Sequence, residues 1–339
     1  VTLHSDARGL VRDLDLLMGG EITRLAYQQD RVLGRTALDQ PADQALPEPI
    51  AVAPLALPEV PDDVAVEPIA GRVPAECFYL RFGSFGNFLW FQDTLDLWEN
   101  DLENLVALRG LSYEVKNRIE GSLVLEMSVL ARHVGDAVVA DVAILGTDPF
   151  FQDGGAFGIL FHARTDALLA AELTRQRLAR AEEDDDATLE KLTVADREVT
   201  LLSTPDGSVR SYYAADDGFH FVTRSKTLLR RFLETGEDKE ALGASKEFRY
   251  ARSVMPLDRD DTVFVYVSDA FFRNFTGPRY RAEVMRRVHA VADVELVQLA
   301  RLASAAEGKS AESIDELVAG GFLPAGFGDR PDGSRTVLA

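Results

Sequence analysis

Cysteine is nearly absent from this chain: its 339 residues hold one, Cys77. A lone thiol excludes an internal disulfide framework and any multi-cysteine metal site. Set in an apolar strand with nothing nearby to favour the thiolate, it reads as a small buried hydrophobe. Basic residues are also in short supply, 36 Lys and Arg against 56 Asp and Glu, for a formal charge of -20. That field repels phosphate backbones and anionic lipid, so no nucleic acid is expected among the partners, and no membrane surface. Apolar runs all fall short of the roughly 20 residues that span a bilayer, so no direct membrane insertion is expected of this segment. No signal peptide is expected within this segment, and its ends, Val1 and Thr336-Val337-Leu338, are compatible with a piece of a longer polypeptide whose targeting signals lie out of view.

Three further absences bear on chemistry. The five histidines (His4, His133, His162, His220 and His289) form no His-x-x-x-His pair and have no evident carboxylate partner, so each reads as structural. His162 and His220 fall on predicted strands, and the sequence leaves open whether they meet. A glycine-rich phosphate cradle is also lacking, so no nucleotide and no other cofactor is implied.

What is present reads as globular. The chain is 46% hydrophobic and 9% aromatic, and it is long enough for one large or two ordinary domains. Residues 1–40 carry helical apolar spacing interrupted at Gly19-Gly20. Residues 41–74 hold eight of the 14 prolines and read as an extended linker or a surface strap, the strap contacting the core through some of Ile50, Val52, Leu55 and Leu57. An α+β core is expected over 75–307, followed by a C-terminal extension over 308–339.

Strands are predicted at Phe78–Phe82, Ala137–Leu145, Phe157–Ala163, Glu198–Ser203, Val209–Ala214, Phe219–Thr223 and Thr262–Val267. Turn chemistry at Pro205-Asp206-Gly207-Ser208 and Asp216-Asp217-Gly218 makes the stretch from Glu198 to Thr223 an antiparallel meander. Helices are predicted at Asn87–Leu108, Tyr113–His133, Asp166–Ala181, Lys226–Glu234, Lys246–Ser253 and Tyr280–Ala306. The fold class is therefore α+β, a mostly antiparallel sheet with packed helices. A strand-to-helix pattern also recurs. Cys77–Phe82 leads to Asn87-Phe88 and a helix closing on Leu130-Ala131-Arg132, and Val263–Val267 leads to Asn274-Phe275 and a helix closing on Leu299-Ala300-Arg301. Two related units, 75–145 and 262–307, are expected on that basis.

Candidate chemistry is thin. Gly83-Ser84-Phe85-Gly86 lies between a strand and a helix like a nucleophile elbow, but one glycine is adjacent to the serine where the elbow needs both two residues away. Ser84 is read instead as a helix cap. Asp148 and Asp153, five residues apart in a glycine-rich loop, are candidate hard-cation ligands, without the alternation or the closing glutamate of an EF-hand. An exposed turn is the competing reading. The acidic run Glu182–Asp186 reads as a solvated, disordered excursion. Arg279, Arg281, Arg286 and Arg287 gather at the start of the last long helix and are candidate contacts for a carboxylate-bearing partner; the competing reading is that they pair with this chain's own acidic surface or are solvated. Between His220 and Arg301 about 15 basic residues meet about 12 acidic ones, against the trend of the whole chain.

The segments Phe219–Ser225, Phe248–Arg252 and Thr262–Asp269 resemble a loosely defined group of uncharacterised bacterial envelope-associated proteins, over about residues 209–269. The resemblance implies a location outside the cytoplasm and brings no catalytic residues with it. Together these features point to a non-catalytic binding or assembly module whose partners are other protein chains or further domains of the same polypeptide. The alternative is a hydrolase, serine-based at Ser84 or metal-assisted at Asp148 and Asp153.

Overall fold

The computed structural model describes residues 21–34, 46–48, 56–94, 123, 135–148, 155–205, 209–235, 240–311 and 313–329. Contacts divide the chain into two compact units, one built from residues 1–50 and 276–339 and the other from residues 51–275. The division falls inside the expected 75–307 core. It comes where Gly277 and Pro278 begin a new helix, proline's fixed φ suiting the first helical position.

The larger unit is built on one antiparallel sheet. Its strands are β1 (Phe78–Arg81), β2 (Val139–Gly146), β3 (Phe157–Ala163), β4 (Thr188–Val194), β5 (Arg197–Ser203), β6 (Arg210–Asp216), β7 (Phe219–Thr223) and β8 (Phe264–Val267), in the order β4-β5-β6-β7-β3-β2-β1-β8. The fold class is α+β, as the sequence indicates. The β5–β6–β7 meander is present, and Asp217 and Gly218, both with positive φ, close its second hairpin.

Both faces of the sheet are covered, which explains why β3 and β7 read as continuous apolar runs. On one face α3 (Lys226–Glu234), α4 (Lys246–Val254) and the 3-10 turn Pro68–Arg72 bury Leu228, Phe232, Phe248 and Ile69 against Tyr79, Leu160, Tyr212 and Phe221. On the other, helical residues 85–94, α2 (Asp166–Glu183) and α5 (Asp269–Phe275) bury Phe88, Leu169, Leu173 and Phe271 against Val142, Ile159, Phe161 and Val222. α3 and α4 begin at Ser225 and Ser245, whose side chains accept from the amides of Leu228 and Phe248.

The smaller unit pairs α1 (Glu21–Val32) with the 29-residue α6 (Pro278–Ala306). Tyr27 stacks on His289 at 3.9 Å, and Gln28 and Arg31 bond Glu295 and Asp293. The buried stripe of α6 runs through Val284, Val288, Ala292, Leu296 and Ala300, and its lower end packs with Phe327, Leu323 and Leu317 of α7 (Ile314–Ala319).

Two expectations need correction. The acidic run is not an excursion: α2 continues through Glu183, Asp184 pairs with Arg180, and β4 starts at Thr188. β4 itself escapes the sequence pattern because an edge strand that buries only Val194 at its end has little need of alternation. The strap, in turn, is extended and irregular over 56–67, but its end enters the core as the turn Pro68–Arg72, with Ile69 and Ala70 fully buried. Ile50, Val52 and Leu55 lie outside the described residues, as does the first Leu-Ala-Arg segment; Leu57 is half-buried.

Candidate functional site

The most organised polar geometry lies between α2 and the sheet. The β6–β7 register sets Tyr213 opposite Val222 and Ala215 opposite His220, so Tyr213 and His220 are diagonal neighbours on one face. The Tyr213 hydroxyl lies 2.9 Å from His220 Nδ1, and His220 Nε2 lies 2.9 Å from Asp166 Oδ1 at the start of α2. A carboxylate can only accept, so Nε2 carries the hydrogen, Nδ1 is the acceptor, and the phenol donates to it. The imidazole is completely buried while Asp166 is largely in water.

Arg177, about three turns further along the same face of α2, lies over the Tyr213 ring and donates to the Ser211 hydroxyl and carbonyl and the Thr200 carbonyl. Burial pulls its guanidinium down to about 10. Burial and the Asp166 charge push the Tyr213 phenol up to about 12, and burial lowers His220 despite Asp166 beside it. The phenol therefore stays protonated and the imidazole neutral at neutral pH. The line joins α2 to β6 and β7 through hydrogen bonds within the protein, although the buried Arg177 Nε and Thr200 hydroxyl have no hydrogen-bond partner among the described residues.

A second polar cluster sits under α4. Arg252 grips both oxygens of Glu67, with Nε to Oε2 at 2.9 Å, and lies 3.5 Å from the centre of the Phe264 ring. The Tyr79 hydroxyl donates to the same Glu67 at 3.0 Å. Next to it Arg81 donates to Asp141 at 2.6 Å, and Asp141 also accepts from the amides of Gly83 and Val142. Burial, with Glu67 alongside, raises the Tyr79 phenol well above its ordinary value.

The residues singled out from sequence are placed differently. Ser84 Oγ accepts from the Asn87 amide at 3.1 Å, capping residues 85–94, and Asp136 receives the Gly86 amide in the same turn. His162 and His220 do not meet. In the β3–β7 register His162 faces Phe219, on which it stacks at 4.6 Å, whereas His220 faces Phe161, so the two rings project from opposite faces. Asp148 is buried just past β2, and Asp153 lies outside the described residues. Among the described residues no group of three or more His, Cys, Asp or Glu could hold a metal ion. Burial raises the Cys77 thiol well above its ordinary value, the opposite of a reactive cysteine.

On α6, Arg279 and Arg286 are exposed and, with the half-buried Arg287, share the side opposite the buried stripe. Arg286 pairs with Glu283, three residues before it, while the equally exposed Arg281 lies off that side. Sequence reading missed Glu67, Arg177, Tyr213 and Arg252. The Asp217-Gly218 turn was the available signal for one of them, because the two-residue loop fixes the register that brings Tyr213 to His220. No family model, curated protein or solved structure matches the chain, so its function has to be argued from these residues and this fold.

Proposed function

We propose that the chain is a non-catalytic binding or assembly module of a larger bacterial extracytoplasmic protein. The observation that carries the reading is the charge at the start of α6. Arg279 and Arg281 stand in its first turn, where the helix dipole disfavours cations and no acidic residue is present, and Arg286 and Arg287 follow within the first ten residues. In a chain of charge -20 this is a local reversal at an intrinsic energetic disadvantage. A surface receiving carboxylates from a partner protein, or from a further domain of the same polypeptide, accounts for it.

The cap formed by Ser84 supports the same reading, since its hydroxyl accepts from the helix instead of addressing a general base. The bacterial, extracytoplasmic setting rests on the resemblance of residues 209–269 alone. A fluorescent glutamate-rich peptide titrated against the wild type and an Arg279→Glu, Arg286→Glu variant tests the binding role. Loss of binding in the variant supports it, and equal binding by both proteins refutes it.

A further inference from the structure

Among the described residues the sheet ends at β8, and the edge this strand presents suits a second copy of this chain. We propose that two copies associate through their β8 strands about a two-fold axis at Val265, joining two sheets into one. This goes beyond the binding role argued for α6 and stands whether or not α6 receives an acidic partner.

The argument begins with which backbone groups face outward. Phe82 donates its amide to Val142 of β2 at 3.0 Å, continuing the register in which Arg81 faces Ala143. Backbone groups along a strand point to alternate sides, so Leu80 and Phe78 also address β2, while Tyr79 and Arg81 address β8. Their partners across the β1–β8 ladder are Tyr266 and Phe264. The amides and carbonyls of Val263, Val265 and Val267 therefore turn to the open edge, and Val265 is 58% exposed. No strand pairs with this edge among the described residues.

The sequence of the edge then selects the occupant. In a closed antiparallel pair the two-fold axis keeps each residue on its own face, so opposing residue numbers must sum to an even value. Val263-Phe264-Val265-Tyr266-Val267 reads nearly the same in both directions about Val265. An axis there sets Val265 against the second copy's Val265, Val263 against its Val267 and Phe264 against its Tyr266. Valines with outward amides meet in the hydrogen-bonded positions, giving about six new hydrogen bonds, and the aromatics meet in the positions where side chains come closest.

The opposite edge of the sheet is guarded against the same operation at its centre. β4 carries Glu190 and Lys191 at its centre, so an axis on either opposes like charges, the usual protection of an edge strand. β8 has no charge, proline or bulge in this stretch.

Sedimentation velocity over about 1 to about 100 µM protein tests the proposal. The wild type should approach twice 37.3 kDa with rising concentration, Val265→Thr should behave likewise, and Val265→Lys, with two ammonium groups on the axis, should stay at 37.3 kDa with an unchanged melting temperature. Wild type at 37.3 kDa throughout, or a Val265→Lys dimer, would overturn it. Should Val265→Lys fail to fold, Val265→Cys is the second test. The native thiol is buried, and opposed residues on the axis lie about 5.5 Å apart, within disulfide range. Mild oxidation should then give a covalent dimer from Val265→Cys and none from Val254→Cys, an equally exposed position elsewhere. Equal cross-linking of the two, or none at Val265→Cys, would overturn the proposal.

Discussion

Glu67 and Arg252 stand 185 residues apart in the chain and meet in a two-pronged ion pair almost entirely shielded from solvent. The pair ties the end of the proline-rich segment to α4, and Tyr79 from the first strand donates to the same carboxylate. Three separate stretches of sequence are thus fixed to one point.

Removing one partner leaves the other charge buried and unpaired, so Arg252→Met should destabilise the larger unit by about 3–5 kcal/mol. Replacing both, Glu67→Leu with Arg252→Met, should restore a large part of the loss. Urea unfolding midpoints of the wild type, the single variant and the double variant check this. A double variant less stable than the single would show that the cluster is not governed by the pair.

Ser84→Ala should lower stability by about 1 kcal/mol, the usual worth of a helix cap, and leave the protein folded. An activated phosphonate that attacks nucleophilic serines should not label the wild type at Ser84. Mass spectrometry after incubation decides the matter: an adduct at Ser84 would return the chain to the hydrolases.

The buried His220 should make stability fall in acid. Its folded value is lowered by burial, so the unfolded chain takes up a proton first, near the ordinary value of about 6.5. The contribution is complete above about 6.5 and is lost as pH falls from there through the lowered folded value. Protonation would also put a hydrogen on Nδ1, where Tyr213 already donates, with the Arg177 cation on the far side of that ring and Asp166 at the other nitrogen. Melting temperatures of the wild type and His220→Asn between pH 8 and 5 should converge as pH falls. Parallel curves would mean that His220 does not titrate in this window.

Residues 56–74 should resist proteolysis more than their proline content suggests. Arg249 bonds the carbonyls of Pro61 and Asp62, and Ile69, Ala70 and Val73 are fully buried. Limited digestion with a broad-specificity protease should cut this stretch faster in Arg249→Ala than in the wild type. Equal, rapid cleavage of both would mark a free tether.

Much of the fold is legible in the sequence because local rules decide it. β3, β7 and α3 fall where periodicity and caps put them: Ser225 opens α3 and Asp217-Gly218 closes the β6–β7 hairpin. β4 is hidden because it buries only Val194 at its end, so neither alternation nor an apolar run marks it. The polar clusters are hidden for a different reason. Glu67 and Arg252 look like ordinary surface residues until the strand order brings them together, and no local pattern records a contact across 185 positions. Tyr213 and His220 lie between these cases, since the turn type fixes their register while the approach of Asp166 depends on how α2 packs.

The most direct test of the binding role is the affinity of a fluorescent glutamate-rich peptide at about 0.15 M salt. There the Debye length of about 8 Å screens the overall negative charge and leaves short-range arginine contacts intact. Fluorescence anisotropy should show saturable binding to the wild type, at least tenfold weaker binding to Arg279→Glu, Arg286→Glu, and the opposite order of the two proteins, if any difference, toward a lysine-rich peptide. Equal affinity of both proteins for the glutamate-rich peptide, or no binding to the wild type at millimolar concentrations, would contradict the account.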